Sequence, residues 1–400
     1  MQENQVPVLQ AEFCRESANH PNVKHLGGSA FLNIPWVPLW YLSKEPVQHI
    51  TVTNHHNMKI SCPLPINKYD IVTLAHGGGG KLSDRLIHDL FIRELGNSWL
   101  NTAHDGAVLE MNGKIAFSTD SFVVNPLFFP GGNIGDLAVN GTVNDLVCCG
   151  AVPEYLSLGL IIEEGLKMDD LRRIIITIKN AAINANVNIV TGDTKVVEKG
   201  KGDKLFINTS GVGTVPEGIF ISPERCIPGD AVIITGNIAD HGIAIISSRE
   251  GLSFESTIRS DTAPLNDLAN VLFEITKDIH VLRDPTRGGV ASALNEICNS
   301  SGHGILLEEK MIPVSAEVKG ACEIMGFDPL YIANEGKLLI ILPQKHAGGV
   351  LRAIRKHSLG KDASIIGRVT DGPPVVKIIT LVGSTRIVDM ISGEQLPRIC

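Results

Sequence analysis

Basic charge is what this sequence most plainly lacks. Its 35 Lys and Arg are outnumbered by 43 Asp and Glu, for a formal net charge of −8. Nucleic-acid and membrane-surface proteins carry a basic footprint, so no nucleic acid and no membrane partner is expected. Long hydrophobic runs are missing too. A spanning helix needs roughly 18 apolar residues in a row, and the most apolar stretch near the start, 30–42, is broken by Pro35 and Pro38. No positively charged segment opens the chain, so no secretory signal is expected and the reading is cytoplasmic. The eight Cys, at 14, 62, 148, 149, 226, 298, 322 and 400, contain no CxxC pair. Neither a zinc knuckle nor a disulfide framework is indicated, and reduced thiols are the plain reading. Aromatics are scarce at 5%, but 44% apolar residues suffice for a buried core, and 400 residues suggest about two domains.

Glycine is abundant, with 40 in the chain, yet only two fall in residues 1–57. That opening segment holds five of the 13 His, five of the 21 Pro and two of the three Trp, without clear periodicity. It is expected to be a poorly ordered extension, or an upstream start-site artefact ahead of Met58. From 58 onward helical and strand patterns interleave. Residues 82–95 carry a helical apolar stripe. Strands are expected at 104–110, 114–119, 153–162 and 187–190, and helices at about 134–149 and 168–184. The segment 194–213 reads as a hairpin around Gly200-Lys201-Gly202-Asp203. Pro and Gly between 216 and 228 mark a domain boundary. Beyond it, strands are expected at 231–235, 305–308, 337–342 and 364–369. Helices are expected after Asp240-His241-Gly242 and at 264–278, 290–301 and 346–358. The irregular alternation favours an α+β architecture over a doubly wound parallel sheet.

Several short constellations could carry chemistry. His76-Gly77-Gly78-Gly79-Gly80-Lys81 offers converging backbone N–H groups and a cation to an anion, or is simply a flexible loop. It is not a Walker A loop, because Leu82 follows Lys81. Ser118-Thr119-Asp120-Ser121, Asn140-Gly141-Thr142-Val143-Asn144-Asp145 and Thr191-Gly192-Asp193-Thr194-Lys195 each set an Asp among small residues at an element end. Singly, each is a cap or turn residue. Three of them beside a glycine run point to Mg²⁺ held with nucleotide phosphates. Arg283-Asp284-Pro285-Thr286-Arg287-Gly288-Gly289 is a turn into a helix, or a pair of phosphate-binding arginines. Cys400 ends the chain. Its thiol is either incidental at a frayed end or a group on a tether able to enter a narrow channel; prenylation is excluded because no residue follows it.

Together, HGGGGK, STDS, GTVNDL, GDTKV with EKGKGDKLFINTSGVG, DPTRGG, NEGK and the terminal PRIC resemble the HypE family of carbamoyl dehydratases. That family belongs to the aminoimidazole ribonucleotide synthetase superfamily. The resemblance covers about 58–400 and departs little, at Ala239 before Asp240-His241-Gly242 and at Cys148-Cys149. It implies maturation of NiFe hydrogenase: the carbamoyltransferase HypF loads a carbamoyl group onto Cys400. ATP-dependent dehydration then yields a protein thiocyanate, and a HypC–HypD complex receives the cyano group for iron. It implies ATP and Mg²⁺ as cofactors, with Asp120, Asp145 and Asp193 on the metal. Gly77, Gly78, Gly79, Gly80, Lys81, Asn144, Thr194 and Arg287 would contact the nucleotide. Glu335 would be the base acting on the carbamoyl nitrogen, Lys195 would position or polarise the carbamoyl group, and His241 is a weaker candidate than either. The implied fold is two-domain: 58–215 forming a homodimer with a central β-barrel, 216–385 an α/β sandwich, and 386–400 a mobile tail.

Two other readings compete. Selenophosphate synthetase, thiamine-phosphate kinase and purine synthetase share the superfamily. The first would want a Cys or selenocysteine in the glycine loop, which has none, and the others give a terminal Cys no role. A non-catalytic assembly scaffold would have no need of the Asp motifs.

Overall fold

The computed structural model describes residues 69–102, 104–251, 258–390 and 398–399. The chain divides into Met1–Ser61 and Cys62–Cys400, and the described residues all belong to the second unit. The expected N-terminal extension, most of the tail and Cys400 lie outside the described residues. Among those described, no helix is long and apolar enough to cross a membrane.

After the glycine run, α1 (Lys81–Leu86) winds through a π-helical stretch (Ile87–Ile92) into α2 (Arg93–Leu95). β1 (Lys114–Phe122), a short ribbon of β2 (Phe128–Phe129) and β3 (Gly132–Asn133), and α3 (Ile134–Cys148) follow. β4 (Val152–Glu163), α4 (Met168–Asn184), β5 (Asn188–Val197) and β6 (Leu205–Val215) complete the first half. Its four-stranded sheet has the order β1-β6-β4-β5, with only β4 and β5 parallel. One face is covered by α3 and α4. In α4, Leu171, Ile174, Ile175, Ile178, Ala181 and Ala182 are buried at helical spacing, and Asp169 and Asp170 favour the positive end of the helix dipole. α3 is capped by Asn133, whose side chain accepts from Gly135 N–H, while Asp136 accepts from Asn133 N–H.

The second half contains β7 (Asp230–Ile234), α5 (Asp240–Glu250), α6 (Asn266–Ile275), β8 (Val281–Arg283) and α7 (Gly289–Ser301). Then come β9 (Gly304–Glu308), α8 (Ala316–Met325), β10 (Leu339–Pro343), α9 (Gln344–Ile354), β11 (Ser364–Thr370), β12 (Val376–Ile379) and β13 (Thr385–Ile387). The strands form a seven-stranded sheet in the order β13-β12-β9-β11-β7-β10-β8. α3 bridges the two halves. Its Val147 joins the cluster of Ala231, Ile233 and Leu268, while Val143 and Leu137 belong to the first core. That bridging explains why α3 is buried nearly all round, without an amphipathic stripe.

Some elements differ from expectation. No strand forms at 104–110. β5 does not stop before Thr191 but runs through Asp193 to Val197, so Asp193 is a strand residue, not a turn residue. The expected hairpin does not form, because β4 lies between β5 and β6. The glycine turn instead crosses the end of β4, where Glu163 accepts from Gly200 N–H at 2.5 Å and from Lys204 N–H at 2.8 Å. The helix expected over 264–278 is shorter, and α8 and β8 were not anticipated. Among the described residues no barrel closes. The sheet is open, and its uncovered face carries Ile115 at 53% exposure, Phe117 at 68% and Ile161 at 45%.

Candidate active site

Where α3 crosses between the halves, acidic side chains gather. Asp120 points from β1 towards α3. It pairs with buried Thr209, and a Cβ on Gly141 would stand 3.8 Å from its Oδ2. Asp145, one turn further along α3, accepts from Ser118 Oγ at 2.8 Å. Asp284, in the turn between β8 and α7, is 9% exposed and accepts from Cys148 Sγ at 3.6 Å. Burial raises the pKa of all three. In Asp145 the rise reaches about 6, from burial first and then from the charges of Asp284 and Asp120, against the Ser118 hydrogen bond. Arg287 partly offsets the burial of Asp120, and Arg283 that of Asp284.

Glu335 sits over this cluster, 3% exposed, and its Oε1 has no hydrogen-bond partner. Burial, then Asp284, Asp261, Asp120 and Asp145, push its carboxyl well above the ordinary value. Its backbone is held by Asp261. Oδ1 of Asp261 accepts from Glu335 N–H at 3.1 Å and Oδ2 from Gly336 N–H at 3.2 Å, with Lys337 Nζ at 2.9 Å. The fit is close: a Cβ on Gly336 would stand 1.8 Å from the Asp261 carbonyl oxygen. Burial alone would raise Asp261, but Lys337 and these N–H groups outweigh it and hold the carboxyl below its usual range.

Asn144, expected at the nucleotide, makes hydrogen bonds within the chain. Its side-chain nitrogen donates to the carbonyls of Ala263 and Glu335, and its oxygen accepts from Leu265 N–H at 2.9 Å. The amide ties α3 to the segment that carries Glu335, and both its ends are engaged.

The glycine run and the Asp193 motif form a second region. Gly79 adopts φ +72°, a left-handed conformation that glycine takes without strain. Its N–H donates to Ser83 Oγ, and Gly80 caps α1, so the positive end of that helix lies at the loop. Gly77, Gly79, Ser83, Asp193, Thr194 and Lys195 line a cavity of about 330 Å³ whose apolar wall includes Leu86, Phe91 and Leu158. His76 also lines it. Its Nδ1 accepts from Thr73 N–H at 3.0 Å, and its Nε2 has no partner.

Asp193 does not join Asp120 and Asp145 within one chain. It shares a row with Gly159, Asn208 and Ser121 on the uncovered sheet face, whereas Asp120 and Asp145 lie on the α3 face. Asp193 instead bonds Lys195 Nζ at 2.6 Å, and this bond holds its carboxyl below the ordinary range. Among the described residues, no three Asp, Glu, His or Cys side chains are placed to hold a metal ion by themselves. A cluster of oxygen donors short of a full set suits Mg²⁺, which takes a few carboxylates and completes its shell with phosphates and water.

Near the end of the chain, Ile399 packs beside the segment that leads to Glu335. Ile399, 3% exposed, belongs to the same apolar cluster as Ile245 and Ala333. Its carbonyl lies 2.7 Å from His241 Nε2. The Arg398 carbonyl accepts from Asn125 N–H and Arg249 Nη2, and the Arg398 guanidinium pairs with Asp203. Sequence reasoning missed Asp284 and Asp261. The first stood in a motif read for its arginines; the second has no local signal.

The AIR synthase related protein N-terminal domain family matches residues 103–215, and the corresponding C-terminal domain family matches 228–379. The chain is 51% identical over 332 residues to carbamoyl dehydratase HypE of Bradyrhizobium diazoefficiens, covering 82% of this chain and 96% of that protein. A crystal structure of hydrogenase maturation protein HypE in complex with ATP is similar at 47% identity and TM-score 0.79, over 82% of this chain and 99% of that one. A chain of a HypE–HypF complex is similar at 49% identity and TM-score 0.69, over 76% of this chain and 99% of that one.

Proposed function

Since the chain belongs to the AIR synthase related family and, within it, to the HypE carbamoyl dehydratases, we propose a division of labour among its residues. The protein is a NiFe hydrogenase maturation enzyme. It uses ATP to dehydrate an S-carbamoyl group on Cys400 to a thiocyanate, and HypF is its carbamoyl-donating partner. The observation that carries the residue assignment is the buried Ile399, docked in one cluster with Ala333, two residues from Glu335.

An amide oxygen leaves poorly. Transfer of the γ-phosphoryl group from ATP to the carbamoyl oxygen gives an S-bound imidophosphate and ADP. Loss of the nitrogen protons and departure of phosphate then leave S–C≡N. The net change at Cys400 is one water, and the second product is inorganic phosphate. Glu335 is the base for the nitrogen. Its oxygen without a partner can take up a proton, and burial among four carboxylates raises its affinity for one. The glycine loop Gly77–Gly80, with Lys81 and Arg287, binds phosphates, and the N–H groups of Gly78 and Gly80 are its donors, since those of Gly77 and Gly79 go to Leu74 and Ser83. Asp120 and Asp145, now with Asp284, would hold Mg²⁺, which when bound neutralises phosphate charge. Lys195 and Thr194 stand with Asp193 at the glycine cavity.

A second copy of the chain would use the open sheet. The bare face with Ile115, Phe117 and Ile161 suits a homodimer that closes the β-barrel, and it would bring a second Asp193–Lys195 pair to the shared surface. Replacing Phe117 by Asp should convert the dimer to monomer in sedimentation velocity; an unchanged dimer counts against this interface. The two-domain division at 216–228 is supported by the two sheets and by the gap between the matched family domains; the tail expected from 386 would begin later, because β13 runs to Ile387 and Val388 is buried in the core. In the cytoplasm, the cyano group would pass to HypC–HypD; capture of the thiocyanate form by that complex is the check.

Dehydration is tested by mass. Incubated with HypF, carbamoyl phosphate and Mg-ATP, the C-terminal peptide should gain a carbamoyl group and then lose about 18 Da, the mass of one water. A carbamoyl adduct that persists in Mg-ATP would overturn the assignment.

A further inference from the structure

We propose that His241 is the latch that seats the carrier tail, linking its docking to the segment that positions the base. The proposal rests on the reading of Cys400 as the carrier. Its core is a chain of hydrogen bonds. A carbonyl oxygen can only accept, so His241 Nε2 bears the proton and donates to Ile399 at 2.7 Å. His241 Nδ1 therefore accepts, and Ser260 Oγ donates to it at 2.8 Å. Ser260 Oγ in turn accepts from Thr262 N–H at 3.1 Å. Asp261, between Ser260 and Thr262, carries the backbone of Glu335 and Gly336. One short segment thus touches both the tail latch and the base support.

The ring is held in place for this role. His241 is fully buried at the start of α5, its ring edge-to-face with Phe129 at 5.7 Å. Both nitrogens are used, one on the tail and one on the segment. Burial lowers its pKa, which agrees with the neutral tautomer. Space is set as tightly as bonding. A Cβ on neighbouring Gly242 would meet Ile332 at 2.4 Å and the Ile399 side chain at 3.4 Å. The tail carbonyls of Arg398 and Ile399 are held by different donors, so loss of His241 frees the residue nearest the thiol while Arg249 and Asn125 still hold the one before it. His241 acts through the Ile399 carbonyl and the Ser260 hydroxyl and is a positioning residue.

The test uses the full chain in three forms: wild type, His241→Phe and His241→Gln, whose amide can donate where Nε2 does. Two rates are read at Cys400 by mass. One is alkylation by iodoacetamide; the other is first-order loss of water from the carbamoylated protein in Mg-ATP. His241→Phe should raise alkylation and slow dehydration, each about tenfold, the scale of one lost buried hydrogen bond. Carbamoylation by HypF should be undiminished, and His241→Gln should return both rates to within about threefold of wild type. A folded His241→Phe protein with unchanged alkylation, or slowed dehydration without faster alkylation, overturns the latch. If His241→Phe does not fold, Ser260→Ala decides, with a smaller change of the same sign expected in both rates and an unchanged alkylation rate refuting the proposal. Wild type that accepts carbamoyl but never loses water would instead refute the dehydratase reading, and alkylation would still judge the latch.

Discussion

Glu335→Gln should arrest dehydration while leaving carbamoyl acceptance at Cys400 intact. Gln matches the shape of Glu, so the hydrogen bonds from Glu335 N–H and Gly336 N–H to Asp261 should survive, since they are made by the backbone. What disappears is a proton acceptor 3% exposed, with one oxygen unpartnered and four carboxylates raising its pKa. Loss of a general base slows a reaction by about 10² to 10⁴. The readout is the rate of water loss at Cys400 after carbamoylation has been completed separately. Dehydration retained within about tenfold of wild type would remove Glu335 from the proton transfer. The variant should also be no less stable, because it removes the need to ionise a carboxyl beside Asp284, Asp261, Asp120 and Asp145.

Asp145→Asn should do two opposite things: weaken Mg-ATP binding strongly and stabilise the protein when no divalent cation is present. Asp145 has its pKa raised from 3.8 to about 6 in the folded chain. A raised carboxylate pKa means that the folded state holds the proton more tightly than the unfolded state. Its stabilising contribution is therefore complete below about pH 4 and is lost as pH rises through about 6. At neutral pH the ionised group opposes folding by about 2–3 kcal/mol, taken from the shift at 1.36 kcal/mol per unit. Asn keeps an acceptor for Ser118 Oγ and carries no charge. In EDTA, thermal or urea unfolding should show the variant more stable than wild type at about pH 8, with the difference shrinking towards pH 4. A difference independent of pH would show that its source is not this ionisation. Calorimetric titration should show Mg-ATP affinity falling by about tenfold or more. Unchanged affinity would place the metal elsewhere.

Local pattern made much of this molecule legible. The stripe of α4 predicted its limits, because burial against one sheet face imposes a 3.6-residue period that nothing else disturbs. β4, β7 and β11 were readable as apolar runs between Gly and Pro. Where elements answered to partners far away in sequence, the reading failed. A glycine turn between two strands looks like a hairpin whichever strand lies between them, so 194–213 was misread while β4 occupied the middle. Asp193 looked equivalent to Asp120 and Asp145 because all three stand among small residues. Strand register alone separates them, since side chains alternate between sheet faces and one position of offset reverses the face.

For the site, composition and motif brought Asp120, Asp145, Glu335, Lys195, the glycine run and Cys400 into view, because each belongs to a short stretch that resembles its family. The sequence by itself determined which groups are available: carboxylates close in sequence to small residues, a glycine loop, a Glu in NEGK, and a terminal thiol. Tertiary structure decided how those groups meet. It tied Asn144 to the segment of Glu335 and put Asp284 into the acidic cluster. It stood Asp261 behind Glu335 and set His241 on the carbonyl beside the carrier residue. These are contacts between residues tens to more than a hundred positions apart. Their cause lies in the crossing of α3 between the halves and in the burial that raises or lowers each charge, and neither leaves a local trace in the order of amino acids.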